Sequence, residues 1–289
     1  IATIINVGLD IILVGPLGMG TEGAAYATIT AQGISFVISI FYLKRHHVFF
    51  GTTVCKKLTV QWDKIVAILK IGLPTAIQMV VVNTAYLLVT GMLNQFGTSV
   101  SAASGVGLQI NTFAGMPCWA VGQAVTAMVG QCMGAEQIKR ARKVVKIGLL
   151  VNIAMTLVVV LCVQVFAEQL ILLFGSNSRE VVTDGVYYLR VCCGVNSLIY
   201  AAMYTLDSFS IGVGAANVAM LNALLDAVVV RLPVSWILAF TLGMGFPGIY
   251  FGQALSPILP AFVGFIYFKS GIWERKSLIQ KNRKKGNPE

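Results

Sequence analysis

Hydrogen-bonding and ionisable side chains are rare along the apolar stretches of this chain, so each one found there is informative. Asn6 and Asp10 stand four residues apart and therefore share one face of a helix. Asp10 comes five residues before Gly15, and Thr28 five residues after Gly23. At the helical rise per residue, both lie roughly 7–8 Å from the turn between them. A hairpin thus brings an amide, a carboxylate and a hydroxyl oxygen to similar depth. Such oxygens suit a hard monovalent cation, Na+ among them, and a carboxylate in an apolar pocket also suits a proton. The same three residues would serve as well for a structural Asp–Thr or Asp–backbone hydrogen bond.

Other polar residues invite the same question. Asp226 lies in a second N-x-x-L-D stretch, and Asp207 lies near the inner end of its helix, where it can couple ions or hydrogen-bond a helix end. Arg190 and Arg231 are the only basic residues inside apolar stretches; pairing with carboxylates and lining a wet cleft are both open to them. Gln78, Gln109 and Asn111, with Met79, Met116, Met128 and Tyr86, either line a cleft that adapts to varied ligands or pack the core. Pro74, Pro117, Pro233, Pro257 and Pro260 each remove a backbone donor and are candidate kinks. The six cysteines show no C-x-x-C spacing, and His46 and His47 have no carboxylate beside them, so no metal site is indicated beyond a Na+ at Asp10. Neither a nucleophile–base set nor a phosphate loop is visible, which speaks against an enzyme and against a cofactor other than a coupling Na+ or H+.

The elements that would position these residues are membrane spans. Hydrophobic residues make up 57% of the 289 and charged residues 11%, with mean hydropathy +0.81. So few charges cannot cover a water-soluble surface of this size, and the implied solvent is lipid. The net charge of +10 is therefore read as loop charge rather than as a nucleic-acid footprint. Eight apolar stretches are candidates for spans, at 1–14, 23–43, 71–93, 104–130, 147–172, 186–211, 215–241 and 246–268. Of the 21 basic residues, 18 fall in the segments 44–70 and 133–146 and the tail from 269, all on one face for this parity. The positive-inside bias makes that face cytoplasmic. The tail run at 281–285 reads as a solvated charge cluster. Residues 55–66 mix lysines with Leu58, Val60, Trp62 and Ile65, as an interfacial amphipathic linker would. The chain opens on Ile1 within an apolar run, with no basic leader before it, and reads as a helix cut partway along.

Two stretches match each other. N-V-G-L-D at 6–10 and G-M-G-T-E-G at 18–23 correspond to N-A-L-L-D at 222–226 and G-M-G-F-P-G at 243–248. The offset is 216 residues at the aspartates and 225 at the glycines. Asp226 is expected at the symmetry-related position of Asp10. An even number of helices separates the copies, which makes the repeat parallel, about an axis along the membrane normal. Six helices per repeat then imply a twelve-helix parent of roughly 450 residues, two lobes flanking a cleft. In that frame residues 1–43 are the last two helices of an N-terminal lobe, 44–62 a cytoplasmic linker, 63–268 a complete six-helix lobe and 269–289 a basic cytoplasmic tail.

These residues resemble the multidrug and toxic compound extrusion (MATE) family. The resemblance rests on N-x-x-L-D followed by G-x-x-G-A-A-x-A-T-x-x-x-Q (Asn6, Asp10, Gly20, Gly23, Ala24, Ala25, Ala27, Thr28, Gln32), on I-G-L-P at 71–74, F-G at 96–97 and G-Q-x-x-G-A at 130–135 with Arg140 and Ala141 beyond it. It implies an all-α, multi-pass plasma-membrane protein that exports drug-like, mostly cationic amphiphilic compounds by alternating access, coupled to entry of Na+ or H+. It implies a cation site of Asn6, Asp10, Ala24 and Thr28, to which an Asp on a helix preceding this chain would contribute. Some family members carry an acidic residue on the helix after I-G-L-P where this chain has Val82 and Asn83, which counts against a sodium site in the second lobe. The implied partners are the bilayer, a small cationic substrate, a monovalent cation and the preceding helices. A flippase for lipid-linked oligosaccharides, from the same superfamily, is the alternative, and it calls for a more cationic cleft than Arg190 and Arg231 provide.

Overall fold

In lipid a backbone must satisfy its own N–H and C=O groups, and the helix does this within one segment. The computed structural model describes residues 2–46, 62–174, 178–194 and 196–275, and among them there are helices and turns but no strand. Two units are distinguished, residues 1–62 and 63–289. The expected linker at 44–62 and the tail at 269–289 lie largely outside the described residues.

The first unit is a helical hairpin of α1 (Ala2–Val14) and α2 (Gly20–His46). Its turn needs Gly18 and Gly20, whose φ of 60° and 55° are left-handed. Gly23, Ala27 and Ala31 recur every fourth residue along α2 and are its buried positions, so small side chains let the two helices approach.

The second unit begins with α3 (Trp62–Leu93), which starts nine residues before the apolar stretch at 71–93 and takes up the end of the supposed linker. Only Ala85, Val89 and Leu93 at its far end are buried. A single 3₁₀ turn, Asn94–Phe96, leads to α4 (Thr98–Gly134), then α5 (Ile138–Val165) and the short α6 (Ala167–Leu173). After them come α7 (Arg179–Cys192) and α8 (Asn196–Gly212), which together cover the candidate span at 186–211 and meet at a 50° bend. Gln164 donates to the Leu189 carbonyl at 3.1 Å and the Cys193 carbonyl at 3.0 Å, satisfying oxygens at that bend.

The stretch Ala216–Thr241 changes its winding along its length. It is α-helical over α9 (Ala216–Leu224), π-helical over Leu225–Arg231, α-helical over α10 (Leu232–Trp236) and π-helical again over Ile237–Thr241. Pro233 follows the first wide turn, where its missing N–H is easily tolerated. The chain closes with α11 (Phe246–Leu255), α12 (Ile258–Ser270) and the short α13 (Ile272–Arg275), α11 and α12 being interrupted just before Pro257. Pro74 and Pro117, by contrast, sit inside continuous helices.

Helix α8 is the axis of this unit. It packs on α4, α5, α9 and α12, and residues 205–210 are buried on every side. Its polar groups are met locally: Thr205 donates to the Ala201 carbonyl and Ser210 to the Leu206 carbonyl. Asn152 of α5, fully buried, donates to Thr205 Oγ1 at 2.8 Å and the Ala201 carbonyl at 3.3 Å.

Among the described residues, five stretches are long and apolar enough to cross a membrane, Gly20–Tyr42, Trp62–Phe96, Ile138–Val165, Ala216–Thr241 and Phe246–Ser270, and there are six if the bent α7–α8 pair is one span. The expected eight include α1, whose 13 residues reach only about 20 Å. They also include α4, whose 37 residues are long enough but carry Ser101, Ser104, Gln109, Asn111, Thr112 and Gln123.

Candidate functional site

Three of the four residues expected to hold a cation are brought together within the first unit. Asn6 of α1 donates through Nδ2 to Thr28 Oγ1 of α2 at 3.4 Å. The Thr28 hydroxyl in turn donates to the Ala24 carbonyl at 2.9 Å. Asp10, one turn along α1 from Asn6, is half-buried, and its Oδ1 is shielded from solvent with no hydrogen-bond partner. The alternative reading, in which an Asp–Thr hydrogen bond explains the trio, is not what forms: Thr28 is joined to Asn6 and to its own helix. What remains is a carboxylate oxygen of Asp10 with no hydrogen-bond partner, one turn along α1 from the Asn6–Thr28 hydrogen bond, a chemistry that suits a desolvated cation or a proton.

The second copy of the repeat has the same turn. Leu17 N–H donates to the Ile12 carbonyl and Met19 N–H to that of Leu13, and 225 residues later Leu242 donates to Ile237 and Met244 to Leu238. Gly23 lies against the Leu13 carbonyl, and Gly248 against that of Leu238. The turn therefore fixes the register at 225, not at 216, and the expected equivalence of Asp10 with Asp226 is corrected. Ser235 takes the place of Asp10 and Arg231 that of Asn6, while Ile249 and Gln253 replace Ala24 and Thr28. Nine extra residues between N-x-x-L-D and the turn carry Asp226 on the order of 10 Å further from it. The two unequal offsets were the signal in the sequence.

Asp226 is held in a buried ion pair. Arg231 Nη2 donates to its Oδ2 at 2.7 Å, and both side chains are 4% exposed. In an α-helix residues five apart point to different faces; π winding, with i→i+5 turns, stacks them, and Leu225–Arg231 is wound that way. The Tyr86 ring of α3 lies 4.5 Å from the guanidinium carbon, so this tyrosine packs on a cation. Of the two readings left open for Arg231, pairing is the one adopted. Arg190, at the last turn of α7, is exposed.

Asp207 accepts a 2.7 Å hydrogen bond from Asn222 Nδ2, across the short turn between α8 and α9, and both are buried. Gln78 is half-buried; Asn83 is exposed and donates to the Met79 carbonyl of its own helix. Asn111 accepts from the Cys193 thiol, which ties α4 to the α7–α8 bend. Sequence reasoning missed the roles of Asn152, Gln164 and Ser235, because nothing in their spacing marks a contact across helices. Among the described residues there is no cluster of three or more metal-ligating side chains.

Membrane-length helices enclosing a buried ion pair in the second unit, and in the first a hairpin carrying Asn6, Asp10 and Thr28, define a multi-pass membrane protein with ionisable groups at intramembrane positions. The family model described as MatE matches residues 74–237. The chain belongs to this family of membrane transporters. It is 28% identical over 279 residues to the "Probable multidrug resistance protein YpnP" of Bacillus subtilis, covering 96% of this chain and 61% of that one. It is 24% identical to a "Probable multidrug resistance protein NorM" of Thermotoga maritima, with 97% and 61% covered. Among solved structures, the Vibrio cholerae MATE transporter VcmN in its bent form superposes with a TM-score of 0.81 at 22% identity, covering 96% of this chain and 61% of that one. A MOP superfamily transporter from Pyrococcus furiosus gives 0.87 at 20% identity, with 94% and 60% covered. The chain thus spans about 61% of the length of these curated relatives.

Proposed function

We propose that the full-length protein is an antiporter that exports drug-like, mostly cationic amphiphilic compounds across the cell membrane, driven by entry of Na+ or H+ at Asn6, Asp10, Ala24 and Thr28. The observation that carries this reading is the unpartnered, solvent-shielded Oδ1 of Asp10 beside the Asn6–Thr28 hydrogen bond. The multidrug-resistance names of the relatives support export of such compounds. In this reading the basic segments 44–70, 133–146 and 269–289 face the cytoplasm, eight helices span the bilayer, and 63–268 is one lobe. The flippase alternative is weakened because Arg231 is consumed by Asp226, leaving Arg190 as the one exposed cation among the arginines first singled out within the spans.

The test is Asp10→Asn in the full-length protein, which keeps size and most hydrogen bonding but removes the exchangeable charge. Gradient-driven efflux of ethidium is expected to collapse while the protein still reaches the membrane. Thr28→Ala and Asn6→Ala, each deleting one neutral ligand, should weaken efflux less. Efflux at the wild-type rate in Asp10→Asn would show that Asp10 is structural.

A further inference from the structure

A carboxylate inside a membrane cannot stay alone: a proton, a mobile ion or a fixed side-chain cation must offset its charge. The two N-x-x-L-D stretches meet this requirement differently. Asp10 has no residue of opposite charge on its own hairpin within two turns, since the first basic residue along α2 is Lys44. Asp226 has Arg231, held at 2.7 Å and as deeply buried as its partner. Three of the four substitutions around the second turn run in one direction, while Gln253 keeps a neutral oxygen where the first copy has Thr28. A guanidinium stands where the first copy has an amide, a hydroxyl where it has a carboxylate, and the fully buried Ile249 where it has the small Ala24.

We propose that the Arg231 guanidinium is a tethered counter-cation, which satisfies Asp226 from within and so keeps the second unit from taking up a coupling ion. The inference rests on the cation-coupled reading of Asp10. A side chain cannot cross the membrane, so a carboxylate neutralised by one contributes nothing to ion exchange. Arg231 then sets how many ions move per cycle. The pair is built for this role: the π turn brings the two residues onto one face, and the Tyr86 ring covers the guanidinium. Tyr200 and Cys192 are further titratable groups near Arg231, and Asp207 is a second carboxylate near Asp226. The Oδ1 of Asp226 is unpartnered even with Arg231 in place, so removal of the guanidinium leaves both oxygens open beneath an aromatic face that itself attracts cations.

The experiment compares wild type, Arg231→Gln and Arg231→Gln/Asp226→Asn, each with and without Asp10→Asn, in the full-length protein purified in detergent. Bound cations per chain are measured by calorimetric titration with NaCl and by proton uptake in sodium-free buffer. The cation-dependent rise in melting midpoint gives an independent reading. Arg231→Gln should bind one more cation, Na+ or H+, than its parent, and adding Asp226→Asn should remove it. An unchanged count in folded Arg231→Gln overturns the proposal, as does an extra ion that survives Asp226→Asn. If Arg231→Gln folds only in sodium or acid, the new site is demonstrated by that dependence. If it folds under neither condition while the double variant folds, no mobile ion can replace the guanidinium and the proposal is wrong. Asp10→Asn alone reports on the other reading: ion binding that persists there removes the Asp10 site without touching Asp226.

Discussion

Replacing Gly248 with alanine should force apart the hairpin that carries the second copy of the repeat. A Cβ at this position would stand 2.7 Å from the Leu238 carbonyl carbon and 2.7 Å from the Ala239 nitrogen. Both are backbone atoms, so no side-chain rotation can relieve the clash and the helix itself must move. Overpacking of this kind costs about 1–3 kcal/mol. At ~2–4 °C per kcal/mol for a unit of this size, the melting midpoint should fall by roughly 2–12 °C. At Gly23 the equivalent Cβ would lie 2.9 Å from the Met19 Cβ and 3.1 Å from the Leu13 carbonyl, so Gly23→Ala should cost less. Gly105→Ala is the control, because nothing lies within 4 Å of that Cβ and alanine favours the helix by about 0.5–1 kcal/mol over glycine. Thermal unfolding in detergent, followed by reaction of the buried cysteines with a thiol-reactive dye, gives all three midpoints. Gly248→Ala melting at or above wild type would refute the close backbone contact, and with it the register of 225 that separates Asp226 from Asp10.

Topology is tested by single cysteines in an otherwise cysteine-free protein: Lys139→Cys should react with an impermeant maleimide only from the cytoplasm and Gln95→Cys only from outside, and the reverse pattern would invert the orientation. Arg142 pairs with Glu274 at 2.5 Å and lies 5.8 Å from the Trp273 ring, joining α5 to α13. Because both charges are substantially exposed, Arg142→Ala should cost at most about 1 kcal/mol, read as a small fall in melting midpoint that high salt mimics.

The sequence by itself indicated a helical membrane protein, because its apolar runs of about 20 continuous residues fit spanning helices and lack the short alternating pattern of a barrel strand. It also put Asn6 and Asp10 on one helix face with Thr28 across the turn from them, since that relation depends only on counting residues around a single tight turn, and the structure joins Thr28 to Asn6. Relations between residues further apart were legible only as alternatives. Arg231 stood between pairing and lining a cleft until π winding put it over Asp226, and the backbone cost that permits such winding is set by neighbouring helices, not by local residue types. Residue spacing did not mark the bend between α7 and α8, where the Leu189 and Cys193 carbonyls accept from Gln164, 25 residues away from Leu189 in sequence. Asp226 looked like the twin of Asp10 because a five-residue match is blind to the insertion that follows it. Only the two turns, closed by the same backbone hydrogen bonds, show which residues are true counterparts, since register in a folded hairpin is decided by where two backbones touch.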